Sequence, residues 1–377
     1  MIVLLNLSKQ VKDLQRRYFF KEDASTKDMR SPPFVEVIVL THNNKKVLSD
    51  CLRSLAKTSY KNLQITIVDQ CSNDGTSAFV KKRYPKFNLV RNNKNYSFAE
   101  ANNRILKKSR AKYCILLNDD TIQDKKWVSN LVLVAENNAD IAALQPKVRS
   151  LINKKKFDHA GAGGGFIDIF GYEFCRGRIF FDIEEDRGQY DDEIEVFWVC
   201  GVAMLLKMDI IKKIGYLDET FGSYFEETDL CWRINSRGYK QRYVPSSVVC
   251  HIGSASWGKK KNSMKKEYLL HRNSWLVILK NYSRVNWIWL IPIKLTMELA
   301  TIGAFIFKNP RKSLAAFRGI IWAIFNIIMV FRKSGVNQKG KLIGDWKLIQ
   351  RMAKTSIILQ YFILGKKEFR EYEKYLT

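Results

Sequence analysis

Three groups of side chains in this sequence have the types and spacing for chemistry. The triplet Asn118-Asp119-Asp120 follows the apolar run Cys114–Leu117. Two adjacent carboxylates at the end of such a run repel each other unless a cation stands between them and an anion. A hard divalent ion bridging carboxylate and diphosphate oxygens meets that need, although Asp120-Thr121 would serve equally as a turn or helix cap. The second group, Glu226, Glu227 and Asp229, puts three acids within four positions at the head of a helical run. One or two acids there are explained by the helix dipole; three point to a mutually raised pKa suited to a general base. The third is His251, which ends the run Val248–Cys250, and whose neutral imidazole can complete a metal shell. A lone His is also commonly structural, and His42, His159 and His271 rank below it. Asp69, ahead of Ser72-Asn73-Asp74-Gly75-Thr76, can accept a hydrogen bond from a base imide, while Asp74 or Thr76 caps a helix. The same stretch is a strong turn signal in its own right.

These residues need a scaffold, and the first half of the chain supplies one. Runs at Phe34–Leu40, Leu63–Val68, Phe87–Val90 and Tyr113–Leu117 read as strands. Lys45–Lys57, Thr76–Tyr84 and Phe98–Ser109 have helical spacing between them. Strand and helix in alternation predict an α/β fold with a doubly wound, mostly parallel sheet, whose ligands sit beyond the carboxyl ends of the strands. Thr41, His42 and Asn43, then Asp69, then Asp119 and Asp120 stand at those ends, which predicts a nucleotide-type site. No G-x-G-x-x-G follows the first strand and no G-x-x-x-x-G-K-[ST] occurs, which excludes the usual dinucleotide and P-loop readings.

The chain has 377 residues, with 64 Lys+Arg against 37 Asp+Glu and a formal net charge of +27. That balance favours a polyanionic partner: a nucleotide, a nucleic acid or an anionic membrane surface. Seven scattered cysteines with no Cys-x-x-Cys pair exclude a zinc ribbon and fit a reducing compartment. The opening stretch Met1–Leu7 is too short for the apolar core of a signal peptide, so no export is expected. Residues 280–377 hold 18 Lys+Arg and 5 Asp+Glu together with the long apolar runs Val285–Phe307 and Ser313–Phe331. Lys294 and Glu298 break the first run at i, i+4 spacing, where they can pair. Helices lying in a membrane interface, anchored by Trp and Lys/Arg, account for this mixture better than a span; a soluble helical subdomain is the alternative.

Phe34–Asn43, Asp69–Thr76, Asn95–Asn103, Asn118–Asp120, Trp198–Met204, Gly215–Asp218, Tyr224–Arg233 and His251–Trp257 occur in the order seen in family 2 glycosyltransferases. Over residues 34–283 the chain resembles the bacterial rhamnosyltransferase-like branch, which has a GT-A fold. The resemblance implies an N-terminal arm (1–33), a GT-A domain (34–283) and a basic, apolar helical C-terminal region (284–377) that associates with the membrane. It implies that Asp69 contacts the donor base, that Thr41 and Asn43 line the same pocket, and that Asn102 lies near the nucleotide. Asp119 would face the ribose. Asp120 would bind Mg²⁺ or Mn²⁺, joined by His251. Glu226-Glu227 falls at the family's Glu-Asp pair, whose second acid is the base, and Gly201 at the glycine beside the acceptor-facing strand. Three departures stand out: Asn118 opens the DXD position, Asn95–Asn102 lacks the usual glycines, and Glu227 is one methylene longer than the usual Asp. The implied activity is inverting, metal-dependent transfer from a nucleotide-sugar donor, dTDP-rhamnose by the branch. The acceptor would be polyprenyl-diphosphate-linked or a glycan, in surface polysaccharide synthesis at the cytoplasmic face of the membrane. A catalytically inactive sugar-binding relative is one alternative. Nucleic-acid binding is the other, and it is disfavoured because the basic stretch Lys259–Lys266 has no aromatic to stack a base.

Overall fold

The computed structural model describes residues 31–253 and 264–376. Most of the arm, and Ser254, Trp257 and Lys259–Ser263, lie outside the described residues. The expected alternation is present: strands β1 (Val35–Thr41), β2 (Leu63–Asp69), β3 (Asn88–Arg91) and β4 (Tyr113–Asn118) alternate with helices Lys45–Leu55, Thr76–Arg83 and Phe98–Leu106. These four strands are parallel, and Thr41 pairs with Asp69 while Leu40 pairs with Asn118. Their polar ends therefore share one edge of the sheet. Period-two alternation sends Val35, Val37 and Val39 to one face, under the Lys45–Leu55 and Trp127–Asn137 helices. Ile38 points to the opposite core.

The sheet continues through β5 (Thr121–Gln123) and β6 (Ile141–Ser150). Between β6 and the rest of the large sheet lies a feature the sequence pattern did not suggest, an antiparallel sheet of β7 (Gly165–Ile167), β8 (Glu173–Cys175), β9 (Arg178–Ile179) and β10 (Asp182–Ile183). The chain then returns through β11 (Ile194–Val196), β12 (Ala203–Lys207) and β13 (Lys240–His251). The large sheet runs β11-β13-β6-β12-β4-β1-β2-β3, with β5 paired to β13. Strand β12 is antiparallel to β4 and β6, so the sheet is mixed, with a parallel nucleotide half.

The C-terminal region is not a separate appendage. Residues beyond the apolar helices return to the small sheet: the Ala353 amide donates to the Ile167 carbonyl, and the Ile357 amide to Asp168 Oδ2. Phe369 packs on Phe166, Phe174 and Tyr190. Between these anchors lie the Trp287–Phe305 helix and a pair, Pro310–Phe325 and Ile327–Lys339, bent by 70° at the break between them. The first of these is built inside out. Only Leu290, Lys294 and Glu298 of it are buried, spaced i, i+4, i+8 on one stripe. Lys294 pairs with Glu298 at 3.5 Å, as the spacing predicts, and lies 3.9 Å over the Tyr172 ring. Trp287, Trp289, Ile291 and Leu295 pack in part against the core, while Ile288, Ile293 and Leu299 face outward.

Candidate active site

The nucleotide half presents its acids already partnered. Asp69 is fully buried; Oδ1 accepts from the Ser72 amide at 2.8 Å, and Oδ2 from the Ser77 hydroxyl, with Arg91 Nη1 at 3.6 Å. The Asn43 amide donates to Ser72 Oγ at 2.9 Å, and Asn43 Oδ1 accepts from the Asn73 amide at 2.8 Å. Asn43 (φ 50°) and Cys71 (φ 60°) hold left-handed backbone, so the two loops interlock at the cost of local strain. Asp74 caps as expected and does more: it accepts from the Thr76 amide and from the Lys45 amide, tying two helix starts together. Asn102 donates to the Phe98 carbonyl at 3.0 Å and leaves Oδ1 buried without a partner.

Asp119 accepts from Asn44 Nδ2 at 3.1 Å. Burial, and then the charge of Asp120, push its carboxyl up to about 7, opposed by Thr41, Asn44 and His251. Asp120 is 2 % exposed. Its neighbour is set by the sheet: β13 pairs His251 with Thr121, and the Ile252 amide donates to the Asp120 carbonyl. His251 Nε2 thus comes 3.0 Å from Asp120 Oδ1, while Nδ1 lies 2.9 Å from Asp158 Oδ1. Burial favours the neutral ring, but Asp120 and Asp158 outweigh it and push His251 up to about 10. The two ring nitrogens thus each face a carboxylate oxygen. Asp158 was invisible in the sequence, because it lies between short, irregular segments with no periodicity to mark it.

Asp120 Oδ1 and His251 Nε2, 3.0 Å apart, are the oxygen and nitrogen donors that would hold a divalent ion at this edge. Among the described residues no third His, Cys, Asp or Glu joins them as a ligand cluster. A carboxylate and an imidazole suit a divalent ion only if further ligands come from outside these side chains.

The second set of acids stands at the same edge. Strand β12 pairs Ala203 with Leu117, and the Asn118 amide donates to the Val202 carbonyl, so Gly201 lies beside Asp119. The Gly201 amide is 3.4 Å from Glu227 Oε1. A Cβ at position 201 would stand 3.2 Å from that oxygen and 3.2 Å from Phe98 Cζ, and the close approach explains the glycine. Glu226 and Glu227 open the Glu226–Ser236 helix after two successive left-handed residues, Tyr224 (φ 71°) and Phe225 (φ 69°). Asn273 holds that strained turn by donating to the Phe221, Ser223 and Tyr224 carbonyls. Glu226 Oε2 and Glu227 Oε2 are buried without hydrogen-bond partners. Burial, and then the charge of Glu227, hold Glu226 well above the usual carboxylate range; burial raises Glu227 as well. A third acid missed in the sequence joins them. Glu173 on β8 accepts from the Thr228 hydroxyl, and burial pushes it up to about 7.

Asp229 has a different environment from its two neighbours. The sequence groups it with Glu226 and Glu227 as a candidate for base chemistry, but it is fully buried among cations. Oδ2 receives Arg233 Nε at 2.9 Å and Lys280 Nζ at 2.8 Å, and Oδ1 receives Asn281 Nδ2 at 2.9 Å. Burial alone would raise its carboxyl, but Lys280 and Arg233 outweigh it and hold it below the usual range. A carboxylate so engaged is a brace between helices, not a base.

Residues 36–215 match the profile described as "Glycosyl transferase family 2". This chain carries a family 2 glycosyltransferase domain. It is similar to the N-acetylglucosaminyl-diphospho-decaprenol L-rhamnosyltransferase of Mycobacterium tuberculosis, 23% identical over 286 residues, covering 70% of this chain and 88% of the relative. Its fold matches GalNAc-T7, solved with UDP, GalNAc and Mn²⁺ (TM-score 0.53, 14% identity, 74% of this chain and 57% of that one). It also matches residues 1–349 of S. aureus TarS with UDP-GlcNAc (TM-score 0.50, 16% identity, 75% and 79%). The glycosyltransferase thus has a GT-A fold, its large mixed sheet joined by a small four-stranded sheet.

Proposed function

We propose that this glycosyltransferase moves a sugar from a nucleotide-sugar donor such as dTDP-rhamnose onto a lipid-linked or glycan acceptor with inversion, rhamnose being the sugar named for the M. tuberculosis relative. The observation that carries the reading is Glu227, raised in pKa and set against Gly201 at the edge where Asp119 and Asp120 stand. Glu227 takes the proton of the acceptor hydroxyl. The hydroxyl oxygen bonds to the anomeric carbon as the bond from that carbon to the diphosphate oxygen breaks, and the electron pair leaves with the nucleoside diphosphate. Asp69, Thr41, Asn43, Asn102 and Asp119 line the donor side. Asp120 and His251 would hold Mg²⁺ or Mn²⁺, which when bound neutralises charge on the leaving diphosphate.

The acceptor reading rests on the relative named for a diphospho-decaprenol substrate and on the C-terminal helices. A helix with its ion pair turned inward and its apolar surface turned outward is what a lipid phase selects; a water-soluble subdomain selects the reverse. The Trp287–Phe305 helix, and the exposed Phe317, Phe325 and Ile328 beside it, suit a peripheral position at the cytoplasmic face of the membrane. The test is release of nucleoside diphosphate from dTDP-rhamnose with a polyprenyl-diphosphate sugar acceptor. Release that needs the acceptor and is lost in Glu227→Gln supports the reading; donor binding with no release in the wild type would identify an inactive sugar-binding relative.

A further inference from the structure

A cleft of about 370 Å³ opens where the Glu226–Ser236 helix ends against the Ile327–Lys339 helix. It belongs to the opposite end of the catalytic helix from Glu226 and Glu227, about 16 Å away at 1.5 Å per residue over 11 residues. Five cations line it: Arg233, Arg237, Lys280, Arg332 and Lys333. Asp229 answers Arg233 and Lys280, and Asp218 answers Lys280 and Lys333. Arg237 and Arg332 have no acidic partner among the described residues.

Arg237 is the informative one. Its Nη1 is buried with no hydrogen-bond partner, and burial together with the charge of Arg233 holds its pKa below the usual value. A side chain at Gly340 would overlap the guanidinium, so the backbone of the C-terminal region packs directly over it. A half-buried, unanswered guanidinium among other cations is costly unless an anion completes it, and phosphate oxygens match its fork. Val336 is an exposed apolar residue of the lining, and Ile328 extends the same helix face beyond it. Ile328, Arg332 and Val336 fall at i, i+4, i+8 on one helix face, and Ile328 and Val336 are largely exposed.

We propose that this cleft binds the phosphate of an anionic membrane lipid, with Arg237 and Arg332 on the phosphate and the acyl chains along Ile328 and Val336. It rests on the membrane reading above and adds a specific headgroup site, remote from the reaction centre, that fixes how the enzyme lies on the bilayer. The test is flotation of the full chain with phosphatidylcholine vesicles, with and without phosphatidylglycerol. Arg237→Gln and Arg332→Gln should each weaken binding to the phosphatidylglycerol vesicles about tenfold, the scale of a lost charge-assisted hydrogen bond. Lys347→Gln, exposed and outside the cleft, should cost at most about fivefold, the general worth of a basic residue at an anionic surface. Arg332 is exposed, so its variant keeps the fold even if Arg237→Gln does not. Equal losses for Lys347→Gln and the two cleft variants would overturn the site and leave the membrane reading standing. No binding of the wild type to either vesicle would overturn the membrane reading itself. A membrane-free arm separates the sources: stabilisation by inorganic diphosphate that is lost in Arg332→Gln, with vesicle binding indifferent to it, would assign the cleft to a soluble phosphate and overturn the lipid.

Discussion

Two carboxylate clusters face each other across one sheet edge, and they are prepared for opposite tasks. Asp120 meets His251 at 3.0 Å, and Asp119 is held by Asn44. Glu226 and Glu227 each keep a buried oxygen with no donor, and Glu173 adds a third acid. The first cluster is gathered around the His251 ring. The second is starved of positive charge and so favours holding a proton, which is what a group needs if it is to take one from a hydroxyl near neutral pH. The backbone produces the difference: strand ends carry the first cluster into reach of β13, while the strained turn at Tyr224-Phe225 buries the second at a helix start.

The comparison can be broken in order of effect. Asp120→Ala should abolish transfer, measured as nucleoside diphosphate release, with the far-UV spectrum unchanged; wild-type turnover with Mn²⁺ present would remove Asp120 from the metal. Glu227→Gln should lower kcat about 10²–10⁴-fold with donor Kd nearly unchanged, because a base acts only in the transition state. If Glu226→Gln proves far more damaging to kcat, the base sits one residue earlier. Asp229→Asn should act on stability and not on chemistry. Removing one charge from a buried pair costs about 3–5 kcal/mol, so denaturant midpoints should fall while kcat of the remaining folded enzyme holds. A large kcat loss at full stability would return Asp229 to the reaction.

The smallest effect concerns pH. Glu173 has a folded pKa of about 7, above its unfolded value near 4.3. Between those values the folded chain binds more protons than the unfolded one, so stability falls as pH rises. Glu173→Gln should therefore raise Tm at pH 8 and leave it little changed at pH 4. An equal shift at both would show that the carboxyl is not perturbed.

What was legible in the sequence follows from how locally each feature is made. A β-branched run ending in Asp69 or Asn118-Asp119-Asp120 announces strand and edge together, so the parallel half was readable to within a residue or two. The small sheet was not, because strands of two or three residues carry no period, and Glu173 and Asp158 were lost with it. The role of Asp229 depends on Lys280 and Asn281, some 50 residues later, and no local pattern distinguishes it from an exposed first-turn acid. The inside-out helix was half legible: the Lys294–Glu298 spacing was plain, but which face it turned inward was a matter of packing.

The return of Phe369 to the small sheet has a consequence for how the protein is made. While the chain is still emerging from the ribosome, the nucleotide half can settle early, since its strands and helices are sequence neighbours. Phe166 and Phe174 wait for Phe369, nearly 200 residues later, and the sheet that carries Glu173 waits with them. A partly synthesised or clipped chain would then hold a finished parallel half beside a small sheet that lacks its Phe369 contacts, and that sheet should be the first place a protease cuts.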